Sequence, residues 1–266
     1  MTTVDAYYTD QLAVATYEQL AATSGTAVAG DVAFYKSCGR RFGDPVLELA
    51  VGTGRVAWQL ADAGLRVVGV DLSAAMLEQA VRMGAERPAA VRQRLTLHQA
   101  DMAAFALTEA FPLAIIPYSA FQHLLTPERQ RSALTCIHRH LLPDGHLVVD
   151  VFDPLLEHCA PDAASPIPDR EVFETTSGNT IRRRTIARHN DPVHQTIAET
   201  FRLEVVSASG EVIAATETSF AIRWACRQEM CWLFELCGFQ VVEHYSDFER
   251  SPPVYGKRQV WVVRRR

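Results

Sequence analysis

Three carboxylates and one glycine turn mark where this chain can do chemistry. Glu48-Leu49-Ala50-Val51-Gly52-Thr53-Gly54-Arg55 lies between a strand-like run and a helix-like run. Glycines there let the backbone turn tightly and approach a ligand with no Cβ in the way. The helix start that follows offers unpaired N–H groups. Asp71 closes the next apolar run, where a carboxylate can accept hydrogen bonds from both hydroxyls of a ribose. Asp101, within Gln99-Ala100-Asp101-Met102, follows the third such run and is placed to accept from an adenine amino group. Gly52-Thr53-Gly54-Arg55-Val56-Ala57 also fits G-x-G-x-x-A, a dinucleotide fingerprint, although no Tyr-x-x-x-Lys or similar hydride-transfer pair accompanies it.

A second set of residues lies around Pro117-Tyr118-Ser119-Ala120-Phe121-Gln122-His123. Aromatic rings here can stabilise a cation and exclude water. His123 can take a proton near neutral pH, or it can simply begin a helix and be hydrogen-bonded there. Further along, Arg182, Arg184 and Arg188 share one face of any strand that carries them. Such a face holds a phosphate or carboxylate if it overlooks a pocket, and is a solvated sheet face if it does not.

The elements that would position these groups follow from periodicity. Residues 11–40 read as helical. Strand-like runs at 45–50, 65–70, 95–98, 113–116 and 146–152 alternate with helical runs at 55–63, 74–83 and 127–142. Ser73 is placed as an N-cap, Pro127 in a first turn, and Pro143-Asp144-Gly145 as a stop. Strands separated by helices imply a parallel sheet, whose ligands bind beyond the carboxyl ends of the strands. Tyr118, Phe121 and His123 follow the fourth strand. After a loop-like stretch at 160–169, alternating segments at 171–176, 180–188, 194–206 and 211–222 read as an antiparallel meander. A helix from Cys226 to Cys237 and strands at 239–245 and 259–263 complete the chain.

These motifs, in this order, resemble the class I S-adenosylmethionine-dependent methyltransferases. Glu48 to Gly54 matches the first motif with Ala50 in place of its first glycine. Gly69-Val70-Asp71-Leu72-Ser73 with Met76 resembles the ribose motif, Asp101-Met102 the adenine motif, and Leu141 to Leu147 the hairpin before strand five. The resemblance implies a Rossmann-like seven-stranded α/β sheet in which only strand seven is antiparallel. S-adenosyl-L-methionine is the implied cofactor and S-adenosyl-L-homocysteine the product. Tyr17, Glu48, Ala50, Gly52, Thr53, Gly54, Asp71, Leu72, Met76, Asp101, Met102 and Tyr118 are the implied cofactor contacts. Within the superfamily, the tyrosine-rich N-terminus (Tyr8, Tyr17) and the inserted meander resemble small-molecule N-methyltransferases acting on aminosugars and related natural products. His123 falls where some of those enzymes carry an active-site histidine. The expected division is a helical lid at 1–44, a cofactor-binding domain at 45–158 and 223–266, and an inserted sheet at 159–222 covering the active site.

Composition narrows the partners. In 266 residues, 26 Lys+Arg against 31 Asp+Glu give a formal charge of -5, which does not suit a nucleic-acid grip. Ile116-Pro117-Tyr118 also lacks the leading amide or acid and the first proline of DNA amino-methyltransferases. No run approaches a membrane span, and Met1 to Ala6 lacks a signal-peptide pattern. The six cysteines form no CxxC pair and no common zinc spacing, so no metal is expected and a reducing cytoplasm is. The expected activity is methyl transfer to a small-molecule acceptor at an amine nitrogen. His123 and Tyr118 are the catalytic candidates; Tyr8, Phe121, Arg182 and Arg184 are the substrate-binding ones. O-methylation, an NAD(P)-dependent oxidoreductase and a non-catalytic nucleoside-binding module are the alternatives. An intact meander edge leaves a homo-oligomer open.

Overall fold

A computed structural model describes residues 5–22, 29–165, 169–174 and 177–266. Apolar runs build β1 (Val46–Leu49), β2 (Val67–Asp71), β3 (Leu95–Gln99), β4 (Phe111–Ile116) and β5 (Leu141–Phe152). Between them lie α3 (Arg55–Asp62), α4 (Ala74–Gly84), α5 (Ala89–Arg92) and α6 (Pro127–His140), preceded by α1 (Gln11–Ala22) and α2 (Asp31–Phe42). After β5 come β6 (Arg170–Phe173), β7 (Thr180–Asp191), β8 (Thr196–Val206) and β9 (Val212–Arg223). The chain closes with α7 (Arg227–Leu236), β10 (Phe239–Tyr245) and β11 (Arg258–Arg265).

The first sheet has the order β10-β11-β5-β4-β1-β2-β3. β11 runs antiparallel to both its neighbours and every other pairing is parallel, as the resemblance implied. Its inner strands β1, β2 and β4 are buried on both faces, which is why they read as continuous apolar runs, while the edge strands β3 and β10 are half-exposed. Leu47, Leu49, Ala114, Ile116 and Val149 pack towards α6 and α7; Val46, Leu113, Ile115 and Val148 pack towards α2 and α3. Strand order turns back between β1 and β4, which run parallel, and a crevice opens at such a switch point.

The expected helix over 127–142 ends at His140 instead. Leu141 is extended and already pairs with Phe111, so the Pro143-Asp144-Gly145 stop lies inside β5. The helical reading of 11–40 resolves into α1 and α2, with part of the connection, 23–28, outside the described residues. The two helices pack in different places. α2 delivers Phe34, Tyr35 and Cys38 to the core of the first sheet. Ala13 and Leu20 of α1 pack instead on Ile181, Phe201 and Leu203 of the second.

That second sheet, β6-β7-β8-β9, is antiparallel throughout and follows strand five as the alternation indicated. Residues 175 and 176, expected at the end of its first strand, lie outside the described residues, as do 166–168 in the loop before it. One face packs on α1 and on a short 3-10 helix, Ala6–Tyr8. Tyr7, Leu20, Phe201 and Phe220 of the stacked apolar layer line the crevice.

Candidate active site

A cavity of about 750 Å3 lies between the carboxyl ends of β1, β2 and β4, α1 and the second sheet. Ligand pockets run to about 300–1,000 Å3, so it has room for a large ligand or for two smaller ones. Its floor is the glycine turn. Ala50 (φ 53°) and Gly52 (φ 55°) both take the left-handed conformation that allows the reversal. Gly54, also left-handed at φ 81°, starts α3 and does not line the cavity. A Cβ there would lie 2.8 Å from Trp58 Cδ1, so this glycine serves the turn and the packing beneath it.

Asp71 ends β2 with both oxygens engaged: Oδ2 accepts from Gly52 N–H (2.8 Å) and Oδ1 from Ser73 N–H (2.8 Å). Burial raises its pKa, and those backbone bonds oppose the shift. Asp71 therefore does not cap α4. Ser73 does, its Oγ accepting from Met76 N–H at 3.2 Å while donating to the Tyr8 carbonyl at 2.5 Å. Glu48 is 2% exposed, and burial pushes its carboxyl up to about 8 against the opposing pull of Arg55. Its Oε2 has no hydrogen-bond partner. Asp101 accepts from Ala103 N–H through Oδ1 (2.9 Å), and its Oδ2 meets Arg129 Nη2 at 2.5 Å. Leu72, Met76 and Met102 supply apolar wall beside it. Thr53 Oγ1 donates to Glu18, tying the turn to α1.

Opposite stands an aromatic wall. Tyr118 and Ser119 are both left-handed (φ 58° and 60°) and donate their N–H groups to the fully buried Asp150 at 2.8 and 3.1 Å. Asp150 also accepts from Tyr35 Oη (2.6 Å) and pairs with Arg258. This clamp sets the Tyr118 ring 6.4 Å from that of Tyr17 and 5.6 Å from the Arg55 guanidinium. His123 ends a 3-10 helix (Ala120–His123) and lines the cavity. Its Nδ1 lies 3.1 Å from the Ala221 carbonyl and 3.3 Å from Asp5, and its Nε2 lies 2.8 Å from Tyr8 Oη. The Ala221 carbonyl can only accept, so Nδ1 takes the proton and Nε2 accepts from Tyr8. Burial holds the Tyr8 phenol well above its ordinary pKa, which keeps it a donor.

Three expected substrate contacts are corrected. Phe121 is 1% exposed and packs into the main core, because its 3-10 turn directs it inward. Arg182 pairs with Glu171 on the other face of the sheet, and Arg184 is exposed. The arginine that lines the cavity is Arg183, of opposite parity. A bulge between Thr185 and Ala187 then returns Arg188 to the face of Arg183. Asp150, Arg129, Arg183 and Phe220 carried no spacing signal, since each reaches the site from an element remote in sequence.

The methyltransferase-domain family matches residues 46–145. Over those residues the chain resembles a methyltransferase domain. It resembles a dTDP-3-amino-3,6-dideoxy-alpha-D-glucopyranose N,N-dimethyltransferase of Streptomyces fradiae at 37% identity over 105 residues, covering 40% of this chain and 38% of that one. With the cypemycin N-terminal methyltransferase of a Streptomyces species the likeness is 25% over 257 residues, 96% of each chain. SAM-bound CalS10, an amino pentose methyltransferase from Micromonospora echinaspora, superposes with a TM-score of 0.68 at 21% identity, covering all of both chains. These matches favour methyl transfer over hydride transfer for the Gly52–Ala57 turn. The donor set of the methyltransferase domain fits S-adenosylmethionine. Asp71 at the end of β2, Asp101 just beyond β3 and Glu48 on β1 all line the cavity, and carboxylates so placed are chemically compatible with the ribose hydroxyls, adenine amino group and ammonium of that molecule.

Proposed function

We propose that this methyltransferase domain transfers a methyl group to an amine nitrogen of a small molecule. The observation that carries the reading is the Tyr8–His123 pair, with Nε2 of an internally oriented imidazole held by a phenol inside the cavity. Methyl transfer is an in-line displacement, so holding the nucleophile supplies much of the acceleration. S-adenosylmethionine supplies an electrophilic methyl on a sulfonium. Tyr17 and Tyr118 present ring faces and edges that suit a cation and exclude water. An ammonium acceptor must lose a proton before it attacks, and Tyr8 Oη passes that proton to His123 Nε2, the imidazolium being stabilised by Asp5 and the Ala221 carbonyl. The named activities of the relatives, on an amino-dideoxyglucopyranose, the cypemycin N-terminus and an amino pentose, support nitrogen.

In this reading residues 45–158 and 223–266 hold the cofactor. α1 and the second sheet cover the cavity, and α2 belongs with the cofactor-binding part. The test is calorimetry with S-adenosylhomocysteine, followed by turnover on paired amine and alcohol acceptors. Binding with methylation of amines alone supports the reading; no binding by the intact protein sinks it. His123→Ala should cut amine turnover by about 100-fold, within the usual range for general base catalysis, with cofactor affinity unchanged.

A further inference from the structure

Methyl transfer does not by itself need a cation on the second-sheet wall of the cavity, yet Arg183 stands there. Its side chain is 8% exposed and lines the cavity. Nη2 reaches Glu199 only at 3.4 Å, and Nη1 has no hydrogen-bond partner. Glu199 is otherwise occupied: its Oε1 takes Arg188 Nη1 at 2.5 Å and Ser165 Oγ at 2.7 Å. Arg183 and Arg188 thus share one carboxylate. Across the strand pair, Arg170 stands directly opposite Arg183, lines the same cavity, and gives Nη1 to the Leu20 carbonyl at 3.3 Å. Like charges directly opposite on a sheet repel, and a buried donor without an acceptor carries a desolvation penalty. Burial also draws the Arg183 guanidinium below its ordinary pKa, with Arg170 adding to the shift.

We propose that the methyl acceptor carries an anionic oxygen group, a carboxylate or a phosphate, received by Arg183 and Arg170. The guanidinium fork matches two oxygens of such a group, and Nη1 supplies the donor now unmade. The proposal rests on the methyl-transfer reading for the word acceptor; the anion site itself does not. The geometry also restricts the molecule. Phe220 has its ring 6.0 Å from His123 and 5.8 Å from Phe201, and Arg183 lies over Phe201 at 4.2 Å. Phe220 and Phe201 thus join His123 to Arg183 in one run of ring contacts along the cavity wall. A molecule with an apolar-faced body between its amine and its anion suits that wall.

The experiment titrates the full chain, saturated with S-adenosylhomocysteine, with inorganic phosphate and separately with malonate, read by calorimetry. Binding of either probe should weaken at least tenfold in Arg183→Gln and several-fold in Arg170→Gln, and stay unchanged in Arg184→Gln. Phosphate binding alone assigns a phosphate-bearing acceptor, malonate alone a carboxylate-bearing one, and both the shared oxyanion. No binding of either probe, or equal binding by Arg183→Gln, overturns the proposal. S-adenosylhomocysteine affinity, measured on every variant, shows that each is folded. Arg183→Lys, which keeps the charge and loses the fork, replaces Arg183→Gln if that variant does not bind it. Wild-type protein that binds an oxyanion but no S-adenosylhomocysteine refutes the methyl-transfer reading and leaves the anion site standing.

Discussion

At the scale of single residues, the cavity holds two carboxylates in opposite circumstances. Asp71 is half-buried but receives two backbone N–H groups, which favour its ionised form. Asp71→Ala should therefore remove both the ribose acceptor and the brace on Gly52. A hydrogen bond to a charged group contributes about 1.5–3 kcal/mol, so we expect S-adenosylhomocysteine affinity to fall by roughly 10- to 100-fold in calorimetry. Glu48 has Arg55 as a counter-charge and still titrates only at about 8, against 4.5 for the ordinary side chain. The unfolded chain gives up this proton first, so stability falls as pH rises between those two values and levels above the upper one. Glu48→Gln abolishes that slope. In the cofactor-free protein its melting temperature should exceed that of wild type at pH 9 and match it at pH 5; equal values at both would show that burial does not penalise this carboxylate.

At the scale of elements, the turn after β4 depends on a partner in the next strand, β5, beyond the whole of α6. Tyr118 and Ser119 hold a left-handed conformation that costs roughly 1–2 kcal/mol per residue without glycine. Asp150 offsets it by taking both N–H groups, and Arg258 neutralises Asp150 in turn. Asp150→Ala leaves Arg258 buried without its counter-ion, a change that costs about 3–5 kcal/mol, so the urea midpoint should fall sharply and the Tyr118 ring should lose its fixed place. Gly54→Ala meets both an unfavourable φ and the edge of Trp58. We expect a loss of about 2 kcal/mol or more in chemical denaturation, while Gly52→Ala, with open space at its Cβ, should cost less. The alternation of β6 to β9 was legible in the sequence because one face packs on α1. Which arginines of β7 face inward was not. Parity along a strand is only relative until packing picks a face, and the bulge after Thr185 resets it.

At the scale of the whole molecule, the cavity is closed by groups distant along the chain. Glu18 and Tyr17 of α1 reach the glycine turn and Tyr118, Ser73 holds the Tyr8 carbonyl, and Asp5 meets His123. Cofactor in the cavity should therefore order the cover. Amide exchange across Gln11–Ala22 should slow by about tenfold or more when S-adenosylhomocysteine is added, with little change in β10 and β11; exchange in α1 that ignores the ligand would show that it is not a lid. The sequence alone determined the parallel sheet and the inserted meander, and the resemblance its motifs carry implied the antiparallel strand seven and the cofactor contacts. Strand burial, glycine turns and carboxylates at strand ends are all local consequences of neighbouring residues. Only the tertiary structure decided that Phe121 belongs to the core, that Arg183 rather than Arg182 or Arg184 faces the cavity, and that Asp150 and Tyr8 hold the reacting wall. Those placements arise from contacts between distant segments, and neither periodicity nor motif spacing encodes which face a distant segment will cover.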